Sequence, residues 1–463
     1  MRKNTPGAAG RGGRRCTGPR EERTVLERNS PVYQTYVRIL ERELVPAMGC
    51  TEPIAIAYCA AVARSVLGEL PDRIHIEASG NVIKNVKSVV VPNTGGRRGM
   101  EAAAAIGALA GDETAQLEVI SHIQPESRER LGEYLEKTKI TVGAAQSEHV
   151  LDITVTASRG NAWAVVRAVN EHTNLVYIEK SGQVLEERAI EKQEDPDAPD
   201  YTLLNVRDIC EFAQTCQVED VAPVLDRQIA CNTAIAEEGL RGNYGANVGS
   251  TLLKAYGTDI KIRAKAKAAA GSDARMSGCE LPVVINSGSG NQGMTVSLPV
   301  IEYAKELGST QEELYRALTL SNLVTLHAKE GIGRLSAYCG AVSAGAGAGA
   351  GIAYLHGGDY DEIAHTIVNA LAITSGIVCD GAKASCAAKI ASAVDAGILG
   401  YEMYRNGQEF FGGDGLVLKG VENTIRNISR LGRVGMKETD REIIRMMVGE
   451  DTHDHMGRDE TGL

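Results

Sequence analysis

Cys339, Cys379 and Cys386 lie in the runs Ser336-Ala-Tyr-Cys339-Gly-Ala and Val378-Cys379-Asp-Gly-Ala-Lys-Ala-Ser-Cys386, separated by 40 and then 7 positions. Three thiolates brought to one place suit an iron–sulfur cluster better than a disulfide or a complete zinc site. A cubane cluster has four irons, so three cysteines leave one iron without a protein ligand. Such an iron is a Lewis acid, which makes the chain an enzyme candidate rather than an electron carrier. In one straight helix, Cys379 and Cys386 would sit about 10 Å apart along the axis, too far for neighbouring ligands. Asp380-Gly381 breaks such a helix, so a loop can turn both thiols inward. Two other readings stand beside this one: three buried thiols gathered by chance in a chain with 10 cysteines, and a zinc site completed by a fourth His or Cys.

The run Gly49-Cys50-Thr51-Glu52-Pro53 places Cys50 at the start of a helix, with Thr51 read as the N-cap. The helix dipole and free N–H groups there lower a thiol's pKa, so a Cys50 thiolate could serve as a base or as a fourth iron ligand. The plainer reading is a small residue where a helix begins. Two Gly-rich loops follow, Asn93-Thr-Gly95-Gly96-Arg-Arg-Gly-Met100 and Asn286-Ser287-Gly288-Ser-Gly290-Asn291-Gln-Gly293. The second contains G-x-G-x-x-G after an apolar run, the dinucleotide fingerprint. No second strand ending in an acid follows, and residues from Gln311 to Thr325 read as helix, so that reading is rejected. A Gly-rich loop feeding a helix also binds small anions such as an amino-acid carboxylate, which makes Ser287, Gly288, Gly290 and Asn291, with Gly95 and Gly96, candidate substrate contacts. Unliganded turns are the alternative for both loops. Lys383, between two of the cysteines, either orients a carboxylate or is solvated. His122, His327 and His356 form no pair with metal-ligand spacing and read as structural.

These residues need a scaffold that brings distant segments together. The chain has 463 residues, 43% apolar and 24% charged, with a formal net charge of −11. That is a globular composition with no nucleic-acid signature. No stretch is long and apolar enough to span a membrane, and ten cysteines without an export signal indicate a reducing, cytoplasmic setting. Residues 1–28 read as a disordered basic tail and 29–70 as N-terminal helices carrying Cys50. Residues 71–200 read as an α+β domain with a mainly antiparallel sheet, and 201–463 as a mostly all-α catalytic domain. Expected strands include Ile74–Ala78, Val86–Val91, Leu151–Thr156, Trp163–Val169 and Leu175–Lys180. Expected helices include Pro31–Leu44, Thr51–Gly68, Gly99–Leu109 and Glu126–Lys137, and Glu191–Asp200 reads as a charged linker. The alternating Ala and Gly from Ala344 to Gly351 are read as a tightly packed helix.

Taken together, Gly49-Cys50-Thr-Glu-Pro53, Ser287-Gly-Ser-Gly-Asn-Gln-Gly293, Ala337-Tyr-Cys339-Gly and Cys379-Asp-Gly-Ala-Lys-Ala-Ser-Cys386 resemble the L-cysteine desulfidase family. That family is similar to the catalytic α-chain of bacterial iron–sulfur L-serine dehydratases, and the resemblance covers nearly everything after residue 30. It implies an oxygen-labile [4Fe–4S] cluster on Cys339, Cys379 and Cys386. It also implies β-elimination from a small amino acid without pyridoxal phosphate, giving pyruvate, ammonia and hydrogen sulfide from L-cysteine. In the serine dehydratases the last two ligands lie further apart, and the tail can supply a terminal cysteine. Here no cysteine follows Cys386. A fourth protein ligand would therefore come from Cys50 or, second, from Cys279. Iron's preference for the softer thiolate favours cysteine over serine. Serine dehydration and a cluster-based sensor or carrier without turnover remain the other readings, and self-association is left open.

Overall fold

A computed structural model describes residues 26–190, 198–333 and 336–448. Residues 1–25 of the basic tail read over 1–28 and most of the linker over Glu191–Asp200 lie outside the described residues, while Arg28, at the end of that tail, is paired with Asp220. No helix among the described residues is long and apolar enough to cross a membrane.

The architecture is α+β with a helical C-terminal part. The first part holds helices α1 (Pro31–Glu43), α2 (Thr51–Leu67), α3 (Gly80–Val86), α4 (Gly99–Ala110) and α5 (Pro125–Lys137). Its strands are β1 (Pro46–Met48), β2 (Arg73–Ala78), β3 (Lys139–Ala144), β4 (Asp152–Arg159), β5 (Ala162–Val169), β6 (Leu175–Lys180) and β7 (Gln183–Glu187). Beyond it come α6 (Val206–Thr215), α7 (Ala222–Arg241), α8 (Val248–Tyr256), α9 (Ile260–Met276), the short strand β8 (Pro282–Val284) and α10 (Gly290–Leu307). The chain continues through α11 (Gln311–Glu330), α12 (Gly340–Leu355), α13 (Tyr360–Thr374), α14 (Cys386–Arg405), α15 (Val421–Arg430) and α16 (Lys437–Val448).

The main sheet has the order β3-β2-β4-β5-β6-β7, and only the β2–β3 pair is parallel. β2 alternates, so Ile74, Ile76 and Ala78 point into a core with Ile153, Val155, Val166 and Ala168, and α2 and α4 cover that face. A second core gathers α1 with the helices beyond residue 200. The stretch that reads as a strand over Val86–Val91 differs in the structure. α3 ends at Val86, and Val89, Val90 and Val91 are buried in a loop with one isolated bridge, Val90 to Arg98. Its β-branched residues satisfy burial rather than a strand ladder. β3 and β7 carry too few buried positions for alternation to reveal them.

Two packing features set up the site. β1 pairs antiparallel with β8, Pro46 opposite Val284, which ties the segment leading into α2 to the one leading into α10. Beyond the strands, Thr51 and the Gly288 carbonyl come within 3.2 Å of each other. The Ala/Gly run is helical, as its composition suggests. A Cβ on Gly345 of α12 would fall 2.3 Å from the Ala393 carbonyl oxygen of α14, and one on Gly397 of α14 would fall 2.3 Å from that of Gly345. The two helices therefore cross in backbone contact, with their starts at Cys339 and Cys386 drawn to one end.

Candidate active site

Residues 40 apart in sequence are joined by a scrap of sheet. Tyr338 bridges Val378, the Cys339 N–H donates to the Ile377 carbonyl at 3.2 Å, and the Cys379 N–H donates to the Ala337 carbonyl at 2.6 Å. This pairing sets Cys339 beside Cys379. The chain then turns at Asp380-Gly381, and the Cys386 thiol reaches back to the Gly381 carbonyl at 3.5 Å. Gly381 has φ +94° and lies on the backbone of α3, where a Cβ would come 2.3 Å from the Lys84 carbonyl oxygen. All three cysteines line one cavity of about 110 Å³.

Four helices begin at this cavity. Cys50 is the N-cap of α2, Ser289 that of α10 and Cys339 that of α12, while Cys386 is the first residue of α14. None of the four starts has a side-chain cap hydrogen bond. Their N-terminal N–H groups and dipoles give the cavity a positive potential suited to an anion.

Burial first, then the adjacent Cys379, pushes the Cys339 thiol up to about 12, against the pull of the Ala341 N–H. Burial also raises Cys386. Lys329, 2% exposed, lies close to these thiols. Burial pushes its ammonium down to about 8, while Cys379 and Cys339 draw it back up. Among the described residues no three His, Cys, Asp or Glu side chains are arranged to hold a single metal ion. A cubane asks for something different, because each cysteine binds its own iron and the sulfurs need not meet at a point. Three cavity-lining thiols, a buried lysine and four open helix starts fit an anionic thiolate-bound cluster better than one zinc ion.

The other end of the cavity is built around Glu52. The Cys50 thiol donates to Glu52 Oε2 at 3.0 Å, Thr51 Oγ1 to the same oxygen at 3.2 Å, and Asn85 Nδ2 to Oε1 at 2.8 Å. His172 Nε2 is 3.9 Å from Oε1. Burial alone would raise Glu52, but His172 and the Cys50 thiol outweigh it and hold the carboxyl well below the usual carboxylate range. The same contact corrects the reading of Cys50 as a thiolate. Burial and the charge of Glu52 push its pKa well above the ordinary thiol value, and the nearby Arg275 only partly opposes them. Cys50, not Thr51, caps α2. It packs with Val89, Met276, Ala382 and Cys386 in one small hydrophobic group, so it stands beside Cys386.

Ser287, Gly288 and Asn291 line the cavity, and Gly290 begins α10 at its edge. Ser287 has φ +49°, a strained conformation for a residue with a side chain. The Gly288 carbonyl lies 3.2 Å from Thr51 Oγ1, the alternative acceptor for its single proton, and this holds the loop close to α2. Gly95 and Gly96 do not line the cavity. Their loop is closed on itself by Thr94 Oγ1 to the Val91 carbonyl and by the Arg97 N–H to Thr94 Oγ1, and Gly96 faces open space. Lys383 is also outside, with Nζ 3.4 Å from Asp380 and 3.9 Å from Met447 Sδ. Cys279 is buried beside Tyr244, and His327 is paired with Glu422 at 2.7 Å; neither lines the cavity. The first part covers the cavity through Lys84, Asn85 and His172 rather than through the Gly95–Gly96 loop.

Sequence reasoning missed Glu52, Lys84, Asn85, His172, Arg275, Gln292 and Lys329, all of which line the cavity. A charged residue inside a wholly buried helical run was a usable signal for Arg275 and Lys329. Lys84 and His172 had none, because the fold alone brings them in. Among the described residues, five of the lining side chains have a buried polar atom with no hydrogen-bond partner: Asn85 Oδ1, Arg275 Nε, Asn291 Oδ1, Gln292 Oε1 and His172 Nε2, which faces Glu52 only at 3.9 Å. So many orphaned atoms around one cavity mark a ligand site.

Known proteins bear on this arrangement. A family model described as the serine dehydratase alpha chain matches residues 114–445. A UPF0597 protein of Desulfitobacterium hafniense (strain Y51) is 61% identical over 425 residues, covering 92% of this chain and 99% of that protein. A UPF0597 protein of Lachnoclostridium phytofermentans is 53% identical over 417 residues, 90% of this chain and 100% of its own length. One from Treponema denticola is 46% identical over 422 residues, 90% of this chain and 98% of that protein. With most of its length matched by that model, the chain belongs to the serine dehydratase alpha-chain family.

Proposed function

We propose that this chain is a [4Fe–4S] lyase, independent of pyridoxal phosphate, that cleaves L-cysteine to pyruvate, ammonia and hydrogen sulfide by β-elimination. Family membership supports an iron–sulfur dehydratase or lyase activity. The observation that carries the finer reading is the meeting of Cys339, Cys379 and Cys386 with Cys50, Glu52 and the Ser287–Asn291 loop around one cavity. The enclosure of this site favours turnover over a surface sensor or carrier. Cys339, Cys379 and Cys386 would hold the cluster, which when bound supplies a Lewis-acidic iron for the β-substituent.

The chain's own residues do the rest. The Ser287–Asn291 loop and the start of α10 receive the substrate carboxylate. Cys50 handles the α-proton. At rest it is a thiol hydrogen-bonded to Glu52 Oε2, and because burial and the Glu52 charge oppose its ionisation, its proton must leave to solvent on the open side of the cavity before Cys50 acts as the base. Thr51, Asn85 and His172 fix the Glu52 carboxylate. Lys329 offsets charge at the cysteine end. Aminoacrylate then hydrolyses to pyruvate and ammonia after release. The family's description favours L-serine as the second reading. Anaerobic purification, iron and sulfide analysis, and parallel assays of sulfide and pyruvate from L-cysteine and L-serine test the proposal. Pyruvate from serine without sulfide from cysteine would reverse the substrate order, and neither product from an iron-loaded protein would remove the lyase reading.

A further inference from the structure

We propose that Arg275, laid against the first turn of α10, is the anchor for the substrate's α-carboxylate and restricts the site to small α-substituted monocarboxylates. The inference rests on the lyase reading of the same cavity and adds a residue and a substrate class to it.

Arg275 is the penultimate residue of α9, in a stretch from Ala268 to Met276 that is buried throughout. Its own exposure is 2%. A guanidinium buried without an anion is costly, and proteins keep one where a partner completes it. Among the described residues it forms no ion pair, and its Nε has no hydrogen-bond partner. The charge therefore waits on something that enters the cavity it lines.

Its position says what that is. A Cβ on Gly290 would fall 2.5 Å from Arg275 Nε and 2.9 Å from Cζ. The guanidinium thus packs against the residue that opens α10, where a side chain would collide with it. Arg275 and the first turn of α10 line the same cavity, and free helix N–H groups together with a guanidinium are donors suited to a carboxylate. Beside it, the buried Asn291 Oδ1 and Gln292 Oε1 also lack partners. These are acceptors, placed for an ammonium group next to a carboxylate. Donors and acceptors together make a complement to a zwitterion.

Other anions near the cavity are already provided for. Lys329 and Lys389 are the cations beside the cysteines. Glu52 takes its hydrogen bonds from Cys50, Thr51 and Asn85, and Arg275 makes no ion pair with it. Arg275 faces the Cys50 end, where the substrate's α-carbon must lie for Cys50 to reach its proton.

The test is anaerobic titration calorimetry on cluster-loaded protein with L-alanine, which has no β-leaving group, and with L-alaninamide, in which the carboxylate is an amide. Wild type should bind L-alanine roughly 10- to 100-fold more tightly than the amide. Arg275→Met should reduce that preference to within about 3-fold, and Arg275→Lys should keep part of it, with iron content unchanged. The KM for L-cysteine should rise by a similar factor with kcat little altered, the sign of lost uniform binding. A wild-type protein that does not prefer the carboxylate overturns the inference, and so does an Arg275→Met protein that keeps the full preference. If Arg275→Met does not fold, Arg275→Lys and the wild-type comparison still decide it. Arg275-dependent preference without cleavage of either cysteine or serine would sink the lyase reading and leave the anchor standing. Cysteine cleavage by Arg275→Met at the wild-type KM would do the reverse.

Discussion

Replacing Gly381 by alanine isolates the turn that gathers the cysteines. Gly381 has φ +94°, and an added Cβ would come 2.3 Å from the Lys84 carbonyl oxygen and 2.9 Å from its carbon. A side chain in a left-handed conformation costs about 1–2 kcal/mol. Forcing a methyl against backbone adds about 1–3 kcal/mol. The native turn would be disfavoured by roughly 2–5 kcal/mol, a factor of about 30 to several thousand in its population. The turn lies outside both large cores, so the loss should appear as a detached loop rather than a melted protein. Anaerobic reconstitution followed by iron and sulfide analysis is the direct assay, with a thermal melt alongside. We expect iron content and turnover to fall together, with Tm moved by only a few degrees. Gly376→Ala is the control, since its site is exposed with nothing within 4 Å of the added Cβ. A Gly381→Ala protein that loads iron like wild type, or a Gly376→Ala protein equally depleted, would refute the role given to this turn.

Three further outcomes follow from the site. Cys339→Ala, Cys379→Ala and Cys386→Ala should each bleach the anaerobic charge-transfer absorbance and abolish turnover; a fully active Cys386→Ala protein contradicts the ligand assignment. Cys50→Ser should keep most of the iron and lose most of the activity, because a hydroxyl facing Glu52 gives up its proton less readily than a thiol; loss of all iron would instead make Cys50 an obligatory ligand. Asp273 accepts from the Gly249 N–H at 3.1 Å at the start of α8, and burial raises its pKa from 3.8 to about 6. Because the folded value lies above the unfolded one, its stabilising proton is fully held below about pH 4 and lost as pH rises through 6. Asp273→Asn should therefore gain in Tm relative to wild type between pH 4 and pH 7, and a pH-independent difference would show that Asp273 does not titrate this way.

What the sequence disclosed was chemistry carried by neighbours in the chain. The helix break at Asp380-Gly381, the Gly-rich turn of the Ser287–Asn291 loop into a helix and the helical Ala/Gly run could all be read locally. The bridge from Tyr338 to Val378 that brings Cys339 near Cys379 spans 40 residues and leaves no local trace. Cys50 shows the same divide. Its place at a helix start was legible, but its protonation is set by burial and by Glu52, both products of the fold. Val86–Val91 misled because β-branched residues signal burial as readily as strand. Gly95, Gly96 and Lys383 misled because Gly-rich turns and lysines near cysteines are common, and here their partners lie elsewhere.

The uncapped helix starts carry a consequence for the life of the protein in a cell. A missing side-chain cap costs about 1 kcal/mol, so four amount to roughly 4 kcal/mol, against native stabilities of about 5–15 kcal/mol. The starts of α2, α10, α12 and α14 all face the cavity, so that deficit sits in one place. An anionic occupant relieves it at a stroke and stabilises the fold by mass action. Chains without that occupant should open more often and be degraded sooner. The abundance of the protein, and not only its activity, would then follow how fully the cavity is occupied.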